Sequence, residues 1–373
     1  MREFKIRKSD INKALKQALA QTYSYSPHFE NESDFKHELF HQLHGMEING
    51  YKLGDKLPGT RTCMLHAEAN PIAGTRRTSS KRKPKADLVI CNPSIDKDYN
   101  YQVETVVELK KALNLKELRY EIEKFGRYSG IVPELHIASA NQSRIDRTAI
   151  DEIVSERTLP GTNITVYDRS SIPYTAVPQS RRRSRAKTAL SERVAKCIRD
   201  TLHIYGDDRD DKFHNFFWRN YEPETEKRWT FPCEGDFTAQ LYHRLRVEFG
   251  QNAEIRAEYQ PLSVAARKRV DLFIKMQHET VGIEVKMNYD NFKSSSKRDE
   301  VESLSQKFEA MSRANSNHTN MLVVIQGQHG FKGNSKPIAL HKLRDAEIDF
   351  CMLYYAEHDN KAIGPVSIEE TQG

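Results

Sequence analysis

The chain has 373 residues, enough for two ordinary domains of about 100 to 200 residues each. Charged residues make up 29% and hydrophobic ones 38%. Apolar runs such as MLVVI at 321–325 are far too short to cross a bilayer, so a soluble protein is expected. The opening segment MREFKIRKSDINKALKQ has no apolar core of the kind a secretory signal needs. The five cysteines are scattered, without CxxC or Cys/His clusters, which argues against a structural zinc site or a disulfide framework and for a reducing, cytoplasmic location. Net charge is +6, unevenly spread. Lys and Arg number 27 against 23 Asp and Glu in residues 1–180, 5 against 0 in 181–190, and 26 against 29 thereafter. A basic first half and connector suggest a polyanionic partner, while a solvated surface with a soluble linker would give the same count.

In chain order, ESDFKHELFHQL (32–43) has the spacing of an amphipathic helix, with Phe35, Leu39 and Leu43 on one face. Short strands follow at 65–71 (LHAEANP), 85–90 (KADLVI) and 105–113 (TVVELKKAL), then a helix at 118–130 and strands at 134–140 and 163–168. The segment 170–187, SSIPYTAVPQSRRRSRAK, mixes Pro, Ser and a basic run without periodicity, as an exposed interdomain linker does. The same series then recurs. EGDFTAQLYHRL (234–245) matches the first helix, IRAEYQP (255–261) and RVDLFI (269–274) match the first strands, and VGIEVKMNY (281–289) matches TVVELKKAL. A helix at 303–314 sharing Lys-Phe with 118–130, and strands at 321–327 and 349–357, close the second series. The predicted order is helix, strand, strand, strand, helix, strand, twice, with a hairpin joining the Asp strand to the Glu-x-Lys strand. We place the domains at 1–178 and 191–373, with a basic linker at 179–190.

Side chains alternate along a strand, so Glu108 and Lys110 point one way while Val107 and Leu109 point the other. Asp87 stands at the start of the partner strand, and pairing would bring it near Glu108. Two carboxylates so close repel each other unless a cation lies between them, and Mg²⁺ takes oxygen ligands from one or two carboxylates. The neighbouring lysine would supply positive charge for a phosphate oxygen or an activated water, and Glu38 on the first helix could add a carboxylate. Asp271, Glu284 and Lys286 repeat the arrangement, with Gln240 at the helix position. Glu68 and Glu258 also match across the repeat, either as supporting site residues or as ordinary strand-end charges.

This constellation resembles the PD-(D/E)XK nuclease superfamily, in which a helix acid, a strand Asp and a Glu-x-Lys on the next strand form a metal site. The resemblance covers the core of both halves. It implies an α/β fold of two tandem restriction-endonuclease-like domains, each a mixed central sheet flanked by helices with an αβββαβ core. Carried over residue by residue, the catalytic positions are Glu38, Asp87, Glu108 and Lys110 in the first half and Gln240, Asp271, Glu284 and Lys286 in the second. The metal ligands are Asp87, Glu108, Asp271 and Glu284. Two departures stand out: Gln240 replaces an acid, and the proline usual before the strand Asp is replaced by Ala86 and Val270.

The implied activity is Mg²⁺-dependent hydrolysis of phosphodiester bonds in DNA, favoured over RNA, with Mn²⁺ as a substitute ion and a 5′-phosphate and a 3′-hydroxyl as products. Two sites in one chain would let a monomer cut both strands. Restriction or anti-phage defence, repair and mobile-element processing all suit it, including as part of a defence or repair complex with a protein partner. Two other readings stand beside this one. In the first, one domain cuts while a degenerate second domain binds substrate or a regulator. In the second, the chain is a non-catalytic nucleic-acid-binding module. The basic insertion 75–85, with Arg76, Arg77, Lys81, Arg82, Lys83 and Lys85 just before Asp87, would hold backbone phosphates, or would be a solvated loop. Aromatic-rich KFHNFFWRNY (212–221) is read as core packing ahead of base stacking.

Overall fold

The computed structural model describes residues 6–26, 28–55, 64–69, 86–92, 102–126, 134–141, 146–157, 162–173, 189–206, 234–261, 269–287, 298–326, 348–355 and 362–366. The basic insertion 75–85, the arginine run 181–185 and the aromatic stretch 212–221 lie outside these residues. The chain divides into two units, one of residues 1–179 with 223–239 and the other of 180–222 with 240–373.

In the first unit, helices α1 (Lys8–Tyr25) and α2 (Glu32–His44) precede a small hairpin of β1 (Glu47–Ile48) and β2 (Tyr51–Lys52). Its two-residue turn is Asn49-Gly50, both with positive φ (54° and 82°), the backbone that this dipeptide accepts most easily. The main sheet contains β3 (Leu65–Ala69), β4 (Ala86–Asn92), β5 (Gln102–Lys110), β6 (Glu134–Ser139) and β7 (Asn163–Tyr167), in the order β3-β4-β5-β6-β7. Strands β3, β4 and β5 pair antiparallel, and β5, β6 and β7 pair parallel. Parallel neighbours need crossovers, which α3 (Leu115–Gly126) and α4 (Arg147–Arg157) provide.

Both faces of the central strands are covered. Leu88, Val89 and Ile90 are fully buried, as are Val106, Val107 and Leu109, so these strands carry near-continuous apolar runs around their few charges. Helix α2 packs its predicted face, Phe35, Leu39 and Leu43, into the same core. Its N-cap is Asn31, whose side chain accepts from the Asp34 amide at 2.7 Å. Helix α1 adds Ile11, Leu15, Leu19 and Tyr23, spaced by four and all fully buried, and the Tyr23 hydroxyl donates to the Ser139 carbonyl at 2.7 Å.

The second unit contains α5 (Leu190–Gly206) and the last part, from Gln240, of α6 (Glu234–Phe249). Its sheet runs β8-β9-β10-β11-β12-β13: β8 (Glu254–Tyr259), β9 (Val270–Met276), β10 (Glu279–Met287), β11 (His318–Gln326), β12 (Phe350–Tyr355) and β13 (Ala362–Val366). Three antiparallel strands again lead into parallel ones, with α7 (Arg298–Ala314) as the crossover from β10 to β11. The antiparallel edge strand β13 has no counterpart in the sequence reading. The β9–β10 hairpin turns on two residues, Gln277 and His278, with Gln277 at φ 56°. The protein is thus α/β, with a mixed sheet flanked by helices in each unit. Among the described residues no helix is long and apolar enough to cross a membrane.

Candidate active site

In the first unit, Leu88 pairs with Val107, and the antiparallel register carried one step further sets Asp87 opposite Glu108. The Asp87 carboxylate turns into the ladder and accepts from the Leu109 amide at 2.8 Å. In the second unit Leu272 pairs with Ile283, the same step sets Asp271 opposite Glu284, and Asp271 accepts from the Val285 amide at 2.7 Å. The lysines also match. Lys110 Nζ donates to the Leu109 carbonyl at 2.8 Å and Lys286 Nζ to the Val285 carbonyl at 2.9 Å. Period-two alternation places acid and lysine on one face, and the backbone bonds fix the Asp carboxylate and the ammonium at the end of the hairpin.

Glu108 is 1% exposed and Glu284 is fully buried. The Glu108 carboxyl is pushed well above the usual carboxylate range, first by burial and next by Asp87, with Lys124 opposing and Glu121 adding to the rise. Both oxygens of Glu108, and Oε2 of Glu284, are buried without a hydrogen-bond partner. Helix lysines approach each glutamate: Lys124 Nζ lies 2.7 Å from Glu108 Oε1, and Lys307 Nζ lies 2.6 Å from Glu284 Oε1.

Around these shared parts the two sites differ. In the first unit Lys110 stands 3.1 Å from Glu121 and 3.7 Å from Glu32, and Lys124 reaches Glu121 as well at 3.3 Å. Burial opposes the charge of Lys110, but Asp87, Glu121 and Glu32 together outweigh it and hold the ammonium above its ordinary value. Glu32, in turn, is raised by burial first and by Asp87 next, with Lys110 opposing. In the second unit Lys286 instead lies 2.9 Å from Glu284 itself, so two ammonium groups share one carboxylate oxygen.

The sequence reading placed Glu38 as the helix acid. It is fully buried and accepts from Gln42 Nε2 at 2.7 Å, and Gln240 at the matching position is 1% exposed. Glu32, one and two-thirds turns earlier on α2, carries a further carboxylate close to Asp87 and Lys110. Glu121, Lys124 and Lys307 were likewise missed as site residues. The signal for the two lysines was present in the repeated Lys-Phe of α3 and α7, read there as helix similarity alone. Of the residues just before that Lys-Phe, Glu123 is exposed and Gln306 donates to Glu302 at 3.2 Å.

Glu68 and Glu258 share an unusual backbone. Their φ values are 50° and 48°, left-handed for a residue with a side chain, and in each unit the strand pairing skips this residue. The skipped positions lie across the ladder from Asp87 and Asp271. Their partners differ: Glu68 binds Lys36 at 2.5 Å and Glu258 binds Arg269 at 3.3 Å.

Among the described residues no three His, Cys, Asp or Glu side chains form a ready-made metal cage. Mg²⁺ asks for less, one or two carboxylates with water completing the shell. Two opposed carboxylates, one of them with a buried oxygen lacking a partner, fit such an ion in the first unit.

No family model matches the chain, and no curated protein does. Among solved structures, SfsA from Pyrococcus furiosus in complex with Ca²⁺ is similar over 34% of this chain and 60% of that one, at 15% identity. The TM-score is 0.21, too low for the likeness to bear on fold or activity.

Proposed function

We propose that this chain is a metal-dependent endonuclease that hydrolyses phosphodiester bonds in DNA and is built from two tandem restriction-endonuclease-like domains. One observation carries the reading. An Asp carboxylate bonded to the neighbouring strand's amide, a buried Glu opposite it, and a Lys two residues further on occur twice with the same bonds. Ordinary strand-end charges do not require that repetition, and buried like charges are retained at a cost unless a cation joins them.

In this reading Asp87 and Glu108 hold Mg²⁺ or Mn²⁺, which when bound polarises the scissile phosphate and lowers the pKa of a water. Lys110 keeps its proton, held charged by Asp87, Glu121 and Glu32, and donates to a phosphate oxygen or orients the attacking water. Asp271, Glu284 and Lys286 perform the same roles in the second unit, and the basic residues of 75–85 grip backbone phosphates. A second reading, in which the first unit does the cutting and the second binds substrate or a regulator, is favoured by the two lysines already on Glu284 and by Gln240 in place of an acid.

The test is incubation with supercoiled plasmid, linear duplex and single-stranded DNA in Mg²⁺, Mn²⁺ or EDTA. Cleavage that depends on metal, loses its linear product in Glu108→Ala and is abolished when Glu108→Ala and Glu284→Ala are combined is expected. Its absence in every substrate would remove the enzyme reading and leave a nucleic-acid-binding module. Lys110→Ala and Lys286→Ala, made separately, distinguish the two catalytic readings, because intact double-strand cutting in the second variant excludes a two-site mechanism.

A further inference from the structure

We propose that Lys124 and Lys307 are built-in counter-ions of the metal-binding glutamates, holding Glu108 and Glu284 when no metal is present and giving way when a divalent cation binds. The inference rests on the metal-dependent reading above. It concerns two residues that the Asp, Glu-x-Lys pattern does not include.

Each helix that follows a Glu-x-Lys strand sends one lysine back to that strand's glutamate, at 2.7 Å in the first unit and 2.6 Å in the second. The pairs are removed from water: side-chain exposure is 11% for Lys124 against 2% for Glu108, and 20% for Lys307 against 0% for Glu284. A carboxylate so buried needs a cation to stay ionised. Lys307 hydrogen-bonds one oxygen of Glu284 and leaves Oε2 without a partner, and Lys124 pairs with Glu108 by charge while neither Glu108 oxygen has a hydrogen bond, so one monovalent ammonium completes neither site. A divalent ion brings twice the charge and binds oxygen directly, and it would compete with the ammonium for the same carboxylate. Lys124 has a place to go, since Glu121 Oε2 already lies 3.3 Å away. The released ammonium would remain beside the metal and add positive charge where phosphate binds, which makes both lysines positioning residues.

Two measurements on the full chain test this. Lysine-selective acetylation of the native protein, read by mass spectrometry with and without Mg²⁺ alone, should show Lys124 and Lys307 becoming several times more reactive in Mg²⁺. Mn²⁺ titration followed by electron paramagnetic resonance should show tighter binding in Lys124→Met and Lys307→Met, by about tenfold, as expected when one competing charge is removed. Unchanged labelling, or affinity that is equal or weaker in the variants, would overturn the proposal. If a variant fails to fold, the labelling of native protein decides alone. Release of the lysines without any DNA cleavage would keep this inference and remove the nuclease. Metal-dependent cleavage with Lys124 and Lys307 unreactive would do the reverse. Native protein that binds no Mn²⁺ would remove both.

Discussion

The two sites begin from the same hairpin and diverge in how their charges are balanced. Around the first, among the described residues, Asp87, Glu108, Glu121 and Glu32 face Lys110 and Lys124. In the second, Lys286 and Lys307 both sit on Glu284, beside Asp271. A surplus of carboxylate invites a divalent cation, whereas a carboxylate already shared by two ammonium groups must release them first. The repeat therefore preserves the geometry of the site and changes its electrostatics, and under the proposed metal-dependent reading the first unit would hold the ion more tightly.

The largest effect that could break this comparison is on cleavage. Glu108→Ala should remove linear product and slow metal-dependent nicking of supercoiled plasmid by about tenfold, about 1.4 kcal/mol, leaving the slower cutting of the second unit. Glu284→Ala should leave nicking in place and reduce the yield of linear product. Equal losses of nicking in the two variants would mean that the charge surplus of the first site has no catalytic consequence. Separate quantification of nicked and linear plasmid over time distinguishes these outcomes.

The next effect is on stability and concerns α2 against α6. His37 in α2 is 3% exposed, with its Nδ1 2.7 Å from the Ser33 carbonyl, and burial, then Lys36, lower its pKa to about 4. The matching position of α6 is Ala239. A histidine depressed in the folded state stabilises fully above its unfolded pKa near 6.5, and that contribution is lost as pH falls toward 4, because the unfolded chain takes the proton first. Between pH 8 and pH 5 His37 should therefore remove about 2 kcal/mol of stability. Urea melts of native protein and His37→Gln at the two pH values check this, and an equal loss in both would assign the acid sensitivity to other groups.

Metal affinity should separate the sites more modestly. Native protein should bind two Mn²⁺ ions with affinities differing by about tenfold or more, the tighter lost in Asp87→Asn and the weaker in Asp271→Asn. Titration calorimetry of the three proteins tests the assignment. Loss of the weaker site in Asp87→Asn would reverse the ranking argued from charge.

Much of the framework was legible because it rests on periodicity. The α2 face of Phe35, Leu39 and Leu43, the hairpin of β9 and β10, and the strand partners of Asp87 and Asp271 all follow from spacings of 3.6 and 2 repeated in two halves. Helix α1 was equally readable from Ile11, Leu15, Leu19 and Tyr23, but it has no copy in the repeat and was passed over. Glu32 was not named because the repeat directs attention to Glu38, the position it shares with Gln240. Six residues along a helix turn the side chain by about 240°, so the two carboxylates leave the helix in different directions. Glu121 and Lys124 come from an element that a crossover brings back to β5, and no spacing within a segment encodes that return.

The smallest effect tests the left-handed pair. Glu68 and Glu258 each carry a positive φ across from the strand Asp, a conformation that costs roughly 1 kcal/mol or more for a residue with a side chain and little for glycine. Substitution by glycine removes that strain but gives the unfolded chain more freedom and deletes the side chain's contacts. The Glu258 contact is an ion pair to Arg269 with both side chains about half exposed, 47% and 53%, which contributes little. Lys36, by contrast, is 8% exposed and would lose its 2.5 Å partner in Glu68→Gly, leaving a nearly buried ammonium without that carboxylate. Glu258→Gly should thus be neutral or stabilising by about 0.5 kcal/mol, while Glu68→Gly should destabilise. Urea melts of the two variants measure the difference. Destabilisation by Glu258→Gly as large as that by Glu68→Gly would mean that the second glutamate makes a contribution its exposed partner does not explain, and would move both residues from backbone strain to the working parts of the site.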